Sequence, residues 1–311
     1  MKKPARFHRK IYDLRRIPLF FDLDTITDVM DTVLKIPAYH YHQKRRRYKG
    51  FLNPIQSHTH LQIRQYLPSP ELAPFIDQHW IICWDLRGQS SYVFEIMPHS
   101  SVNLSIRSNS AWITGITDGV YRYEMKGIGA IIGSMFKPGG FYPFLQNNLS
   151  TITSREIEAA EVFTEANAAF RYSLLGLESD QAMIANMETL LLSRKPCIDP
   201  NLELVTSIFE AIKTDKYLRT VEEIAEQFAI SERTLQYVFK KYVGIGPKSM
   251  LMRNRLMDAA GLAAQIEDPD WASVAIDLGY SHQSHFVNDF KKIIGKAPEQ
   301  YVQYIRDICN K

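Results

Sequence analysis

Two short stretches place hydrogen-bonding side chains at the spacing of one helix face. Arg233, Gln236 and Tyr237 lie in "SERTLQYVFKKYVGIGP", and Gln283, Ser284, His285 and Asn288 in "SHQSHFVNDFKKIIGKAP". A guanidinium presents a planar fork that suits guanine O6 and N7, and the carboxamides of Gln and Asn suit adenine N6 and N7. These are the groups that a helix lying in a major groove offers to base edges. Each stretch also carries a lysine pair, Lys240 with Lys241 and Lys291 with Lys292, able to anchor phosphates without reading sequence. The plainer alternative is a packed helical hairpin, in which the polar residues are a solvated face and the lysines offset a helix dipole.

Superposing the two stretches separates these readings. At an offset of 51, Leu235 falls on Phe286, Phe239 on Phe290, Lys240 and Lys241 on Lys291 and Lys292, Gly244 on Gly295 and Pro247 on Pro298. Upstream, Ile224, Ala225, Phe228, Ala229 and Ile230 match Val274, Ala275, Leu278, Gly279 and Tyr280 at an offset of 50. One unit of helix, tight turn and helix is therefore written twice, the second with a turn one residue longer. Leu235, Val238, Phe239 and Tyr242 follow i, i+3, i+4, i+7 and must face a core, which turns Arg233, Gln236, Tyr237 and Lys240 outward. In the second unit Phe286, Phe290 and Ile293 form the buried stripe. Thr220 and Glu223 have capping-box spacing at the start of the first unit. The connector from Pro247 to about Ile266 spans about 30 Å if helical, close to the roughly 34 Å of one DNA turn. Arg253 and Arg255 in it would either touch a DNA backbone or solvate the connector.

"TVEEIAEQFAISERTLQYVFKKYVGIGPKSMLMRNRL" followed by "VAIDLGYSHQSHFVNDFKKIIGKAPEQY" resembles the DNA-binding domain of AraC/XylS-type bacterial transcription regulators. Ala275, Gly279, Tyr280, Ser284, Phe286, Phe290, Lys291, Gly295, Pro298 and Tyr301 meet each position of the pattern of that family's second motif. The resemblance covers about the last hundred residues. It implies base contacts from Arg233, Gln236 and Tyr237 in the first motif and from Gln283, Ser284, His285 and Asn288 in the second. It further implies double-stranded DNA and RNA polymerase as partners, an activator more than a repressor, and no enzymatic activity.

The rest of the 311-residue chain must position this reader. The net charge of +3 is unevenly spread: +8 over residues 1–60, −4 over 61–199 and −1 over 200–311. Residues 1–60, with "KRRRYK" at 44–49, read as a basic extension with one short amphipathic helix after Asp24. From Leu61 to about Leu145, seven β-rich runs alternate with turn signals such as "PSP", "RGQS", "TDG" and "KPGG", which suggests a barrel or sandwich. Residues 154–192 change to helical period. "SRKPCIDPN" holds two prolines in nine residues and makes 193–202 the linker, with the DNA-binding domain from 203 to 311. The expected fold is thus α+β and multidomain: a β-rich barrel and helices over 61–192, then an all-α domain with two helix-turn-helix motifs joined by a linker helix.

The β-rich segment is similar to the cupin-like sensing domains that precede this DNA-binding domain in part of the family, with "YLPSPELAPFIDQHW" and "GSMFKPGGFYPFL" carrying the likeness. That implies a small-molecule effector or a homodimer contact. Trp80, Trp84, Tyr92, Phe94, Trp112, Phe136 and Phe141 either line a pocket or fill a core. The alternative function is a metal-dependent cupin-like enzyme, because His58 and His60 have a two-histidine ligand spacing with His79 and His99 downstream. The glutamate expected shortly after the pair is absent, so neither metal nor cofactor is expected. There is no nucleophile–base constellation, phosphate loop or dinucleotide fingerprint. "GIGAIIG" has the wrong glycine spacing and reads as a buried strand. Cys83, Cys197 and Cys309 form no framework, and no apolar run approaches a membrane span, so a cytoplasmic protein is expected.

Overall fold

The computed structural model describes residues 61–215, 217–263 and 269–309. The basic stretch 1–60, with the helix expected after Asp24 and the His58–His60 pair, lies outside the described residues.

All seven expected strands form: β1 (Leu61–Tyr66), β2 (Ile76–Asp85), β3 (Tyr92–Ile96), β4 (Asn103–Arg107), β5 (Ala111–Thr114), β6 (Tyr121–Met125) and β7 (Ile128–Phe136). A short β8 (Glu156–Glu158) joins them in the stretch expected to be helical. With Ile157 as its one apolar residue between two glutamates, the segment that pairs with Trp112, Ile113 and Thr114 is too short to give a periodic signal of its own. The strands make a six-stranded sheet in the order β1-β2-β7-β4-β5-β8 and a separate β3-β6 ribbon. β2 and β7 sit inside the large sheet and are covered on both faces, which explains runs such as "WIICW" and "AIIGSMF" where a half-exposed strand would alternate.

Register sorts the faces. Ile81 opposes Ile132, which opposes Ile106, which opposes Ala111. This face packs on helices α1 (Tyr142–Leu145), α2 (Ala168–Leu175) and α3 (Asp180–Leu192) in a core that also holds Phe136, Phe141, Phe144 and Met187. The opposite face, with Ile63, Ile82 and Ile131, packs on Phe94 and Met125 of the ribbon. Of the aromatics flagged above, Phe136 and Phe141 are therefore core, whereas Trp80 and Phe94 border a cavity between the sheet and the ribbon.

Helix α3 is fixed to the sheet by polar contacts at both ends. Asp180 accepts from Arg64 Nη2 at 3.0 Å and from the Tyr66 hydroxyl. Glu188 accepts from the Ser69 amide at 2.7 Å and lies 3.2 Å from His79 Nε2, while His79 Nδ1 is 2.8 Å from Ser134 Oγ. The order Ser134, His79, Glu188 mimics a catalytic relay, but Ser134 and His79 are fully buried and border no cavity described here. Their role is to satisfy one another inside the sheet–helix core. His79 is thus no free metal ligand, and the described residues contain no cluster of three or more potential metal ligands.

The C-terminal half contains α4 (Pro200–Thr214), α5 (Val221–Gln227), α6 (Glu232–Tyr242), α7 (Pro247–Ala263), α8 (Trp271–Asp277), α9 (Gln283–Ile294) and α10 (Pro298–Cys309). Within the stretch 193–202, residues 194–198 lie outside the helices and their caps. Ser193 caps α3, Asp199 caps α4 with Pro200 at its first position, and Leu202 is buried in the core of the β-rich half. None of the described helices is long and apolar enough to cross a membrane.

The buried imidazole of His79 makes stability depend on pH. Desolvation holds its pKa below the ordinary 6.5 despite the opposing pull of Glu188, so the unfolded chain binds the proton more readily. Stability present above pH 6.5 is lost as the pH falls through that value toward the lower folded-state pKa. Urea midpoints should drop between about pH 7 and pH 5.5, and His79→Gln should flatten that dependence. An unchanged pH slope in the variant would exclude His79 as its source.

Candidate nucleic-acid interface

Each repeat caps its first helix with a side chain, while of the second helices α6 has a side-chain cap and α9, preceded by His282, has none. The Thr220–Glu223 capping box is formed at α5, and Ser231 accepts from the Thr234 amide to start α6. Asp270 accepts from the Ala272 and Ser273 amides to start α8. The turns cross the left-handed region at equivalent positions, Ala229 (φ 51°) and Gly279 (φ 82°). Leu235, Val238, Phe239 and Tyr242 of α6 are buried, as are Phe286, Phe290, Ile293 and Ile294 of α9. Phe286 and Phe290 each lie 5.8 Å from Trp271, centroid to centroid, so α8 and α9 lock through aromatic contacts.

With those stripes inward, Arg233, Gln236, Tyr237, Gln283, Ser284, His285 and Asn288 are all exposed, Tyr237 by 61%. They occupy the N-terminal two-thirds of their helices, and the lysines occupy the C-terminal ends. Lys240 and Lys291 are exposed, whereas Lys292 Nζ is 3.9 Å from Asp118 Oδ2. Lys241 is drawn back among tyrosine rings, 5.3 Å from the Tyr142 centroid and 5.7 Å from that of Tyr237. The connector helix α7 has 17 residues, about 26 Å at the α-helical rise.

The β-rich half grips both repeats, and this is what the sequence reading misses. Arg253 is 3% exposed on α7 and neither touches solvent nor faces outward. Its Nη2 donates to Asp118 Oδ1 at 2.6 Å and to the Thr117 carbonyl at 2.8 Å, on the loop joining β5 to β6. Arg255 likewise turns inward, donating to the Leu278 carbonyl at 3.1 Å and to the Arg219 carbonyl. Both expectations for these arginines are therefore replaced by structural roles.

The repeat glycines carry the other contacts. At Gly244 (φ 96°) a Cβ would meet Thr153 Oγ1 at 2.6 Å and the Leu149 carbonyl at 2.9 Å; at Gly295 (φ 84°) it would meet Val120 Cγ2 at 2.7 Å. Thr153 Oγ1 donates to the Gly244 carbonyl at 2.9 Å. Tyr142 packs on Tyr242 with centroids 4.1 Å apart and the rings tilted by 35°, and the Tyr242 hydroxyl donates to Asp199 Oδ2 at 2.9 Å. The second helices of both repeats, α6 and α9, are thus held at their C-terminal ends by the other half of the chain. The repeat makes Gly244 and Gly295 visible as turn residues. Asp118, Val120, Tyr142 and Thr153 carry no local signal, since only tertiary contact gives them this role.

Comparison with known proteins divides the chain along the same line. Residues 64–158 match a domain family of unknown function, DUF6597, and residues 224–304 match a helix-turn-helix domain family. The chain is 33% identical over 122 residues to the HTH-type transcriptional activator RhaS of Escherichia coli O139:H28, spanning 38% of this chain and 44% of that protein. The chain spans less than half the length of the curated relatives it matches. Among solved structures, the C-terminal domain of AraT, a response regulator from Geobacillus stearothermophilus, is 29% identical with a TM-score of 0.29, covering 34% of this chain and 85% of that one. Apo ToxT from Vibrio cholerae is 11% identical with a TM-score of 0.36, covering 77% and 100%.

Breaking the grip should cost measurable stability. Asp118→Ala leaves the buried Arg253 guanidinium with one carbonyl partner, and the expected loss is about 1–3 kcal/mol in urea unfolding. Arg253→Met, which removes the buried charge itself, should cost less. A larger loss for Arg253→Met would show that packing of the side chain, not its pairing, dominates.

Proposed function

Because the chain belongs, by its double helix-turn-helix domain, to the AraC/XylS family of regulators, we propose that it is a sequence-specific DNA-binding transcription regulator. In this reading α6 and α9 enter successive major grooves on one face of the duplex. Arg233, Gln236 and Tyr237 read bases in one groove, and Gln283, Ser284, His285 and Asn288 read the next. Lys240, Lys291 and Lys292 contact phosphates, and Lys241 contributes from its place beside Tyr142. The observation that carries the proposal is the paired exposure: two copies of one unit bury matching apolar stripes and leave matching hydrogen-bonding faces in solvent. We read the protein as an activator, after the RhaS relatives, with RNA polymerase as its partner at a promoter.

The grip described above gives this function a mechanical basis. Two independent readers on a flexible tether would lose entropy on docking together. Readers already held by Asp118, Val120, Tyr142 and Thr153 have that ordering built into the folded chain. Selection from random duplex DNA should enrich fragments carrying two recognition elements about one helical turn apart. On such a fragment Arg233→Ala or Gln283→Ala should cost about 1–3 kcal/mol and relax preference at one base pair, whereas Lys291→Ala should weaken all sequences alike and lower the salt dependence. Failure to enrich any sequence, or equal losses on selected and random DNA for both reading variants, would overturn the proposal.

A further inference from the structure

The face of the large sheet turned away from the helices floors a cavity of about 110 Å³, roofed by the β3-β6 ribbon. One water needs roughly 10–15 Å³ on a comparable measure, so the space suits a small organic molecule. Its walls are largely apolar, with Trp80, Ile82, Phe94, Ile96, Met125 and Ile131. The Trp80 indole lies over Gly133, where a Cβ would meet its ring at 2.2 Å, so the glycine makes room for the aromatic wall.

Three polar atoms among these walls have no hydrogen-bond partner: Arg107 Nε, Ser105 Oγ and Gln65 Oε1. Strand register puts Gln65, Trp80, Gly133 and Ser105 in one row across the sheet, with Arg107 two residues along β4 on the same face. Ser105 is only 6% exposed. Arg107 is the single Lys, Arg, Asp or Glu among the described residues that line the cavity. It is held from the ribbon, donating from Nη2 to the Tyr121 hydroxyl at 2.7 Å and lying 4.3 Å from the Tyr123 ring centroid. Glu156 accepts from Thr114 Oγ1 at 2.8 Å and shares Tyr121 with Arg107. A guanidinium edge and a hydroxyl left unpaired in a protein interior are costly, and such costs persist where a ligand relieves them.

We propose that this cavity is a binding site for a small organic carboxylate, its carboxylate group on Arg107 and Ser105 and its apolar body between Trp80 and the ribbon. A carboxylate matches the guanidinium fork and accepts from the serine hydroxyl. A neutral molecule would leave the Arg107 charge without a counter-ion, and a doubly charged phosphate would need a second cation that the lining does not supply. The site does not depend on the DNA-binding reading, and it can be tested without DNA.

The test titrates the full chain with benzoate, phenylacetate and hexanoate, each beside its own primary amide, by calorimetry and Trp80 fluorescence. At least one acid should bind about tenfold or more tightly than its amide, a gap of about 1.4 kcal/mol. Arg107→Gln should erase that preference, and Ser105→Ala should reduce it. Hydrogen exchange should slow at residues 101–107 and 115–121, which border the cavity. Equal affinity for acid and amide, no binding by any of the three acids at about 10 mM, or protection confined to residues 200–309 would overturn the proposal. Should Arg107→Gln fail to fold, the acid–amide comparison on the natural protein and the Ser105→Ala variant decide the matter.

Discussion

The arrangement of this chain turns on a guanidinium taken out of water. Arg253 lies in the middle of the helix that joins the two repeats, 3% exposed, and a charge so placed must find fixed partners. It finds them in another domain, in Asp118 and the Thr117 carbonyl. A connector helix that merely spaced two readers would need only a solvated polar face. This one is bolted through its first half to the loop between β5 and β6, and the repeats on either side inherit their orientation from that bolt. Because Asp118 is itself 54% exposed, water lowers the worth of the pair, which is why the apolar and glycine contacts around it matter.

Those contacts use the duplication economically. Gly244 and Gly295 are the same position in two copies, each in the left-handed conformation after the second helix of its repeat. An α-helix that ends this way pairs carbonyls of its last turn with the amides that follow and leaves a surface with no side chain at the glycine. The β-rich half docks on both, with Thr153 donating to the Gly244 carbonyl and Val120 against Gly295. A feature needed to turn the chain thus doubles as a landing site. The N-terminal parts of α6 and α9 stay clear of the contact, so the grip holds the helices without covering Arg233, Gln236, Gln283 or Asn288.

How much of this was legible in the sequence depended on the range of the physics involved. The seven strands announced themselves through turn residues, and the reading helices through i, i+3, i+4, i+7 stripes, because these signals are local. The capping box at Thr220 and Glu223 is where its spacing put it. β8 escaped notice because "EIE" has nothing to mark it apart from its partner Trp112–Thr114. Arg253 escaped because nothing in "MLMRNRLM" distinguishes a buried arginine from a solvated one, and its partner is 135 residues away. The cavity could be suspected from the aromatics, but which of them face it is decided by strand register, which turns Trp80 of the large sheet toward the ribbon and Phe94 of the ribbon toward the sheet, while Phe136 turns to the helices. The unpaired state of Arg107, Ser105 and Gln65 is a tertiary fact with no signature along the chain.

The six residues between β5 and β6 belong to neither half alone. The Gly115 amide donates to the Arg155 carbonyl, Ile116 is packed in the core around the first repeat, and Thr117 and Asp118 hold Arg253. Gly119 nears the Lys292 carbonyl, and Val120 rests on Gly295. Gly115, Thr117 and Tyr121 meanwhile form part of the cavity wall. A segment fastened at every residue cannot bend privately. It is a shared strut: the residues that close the cavity wall are covalently continuous with those that hold both repeats.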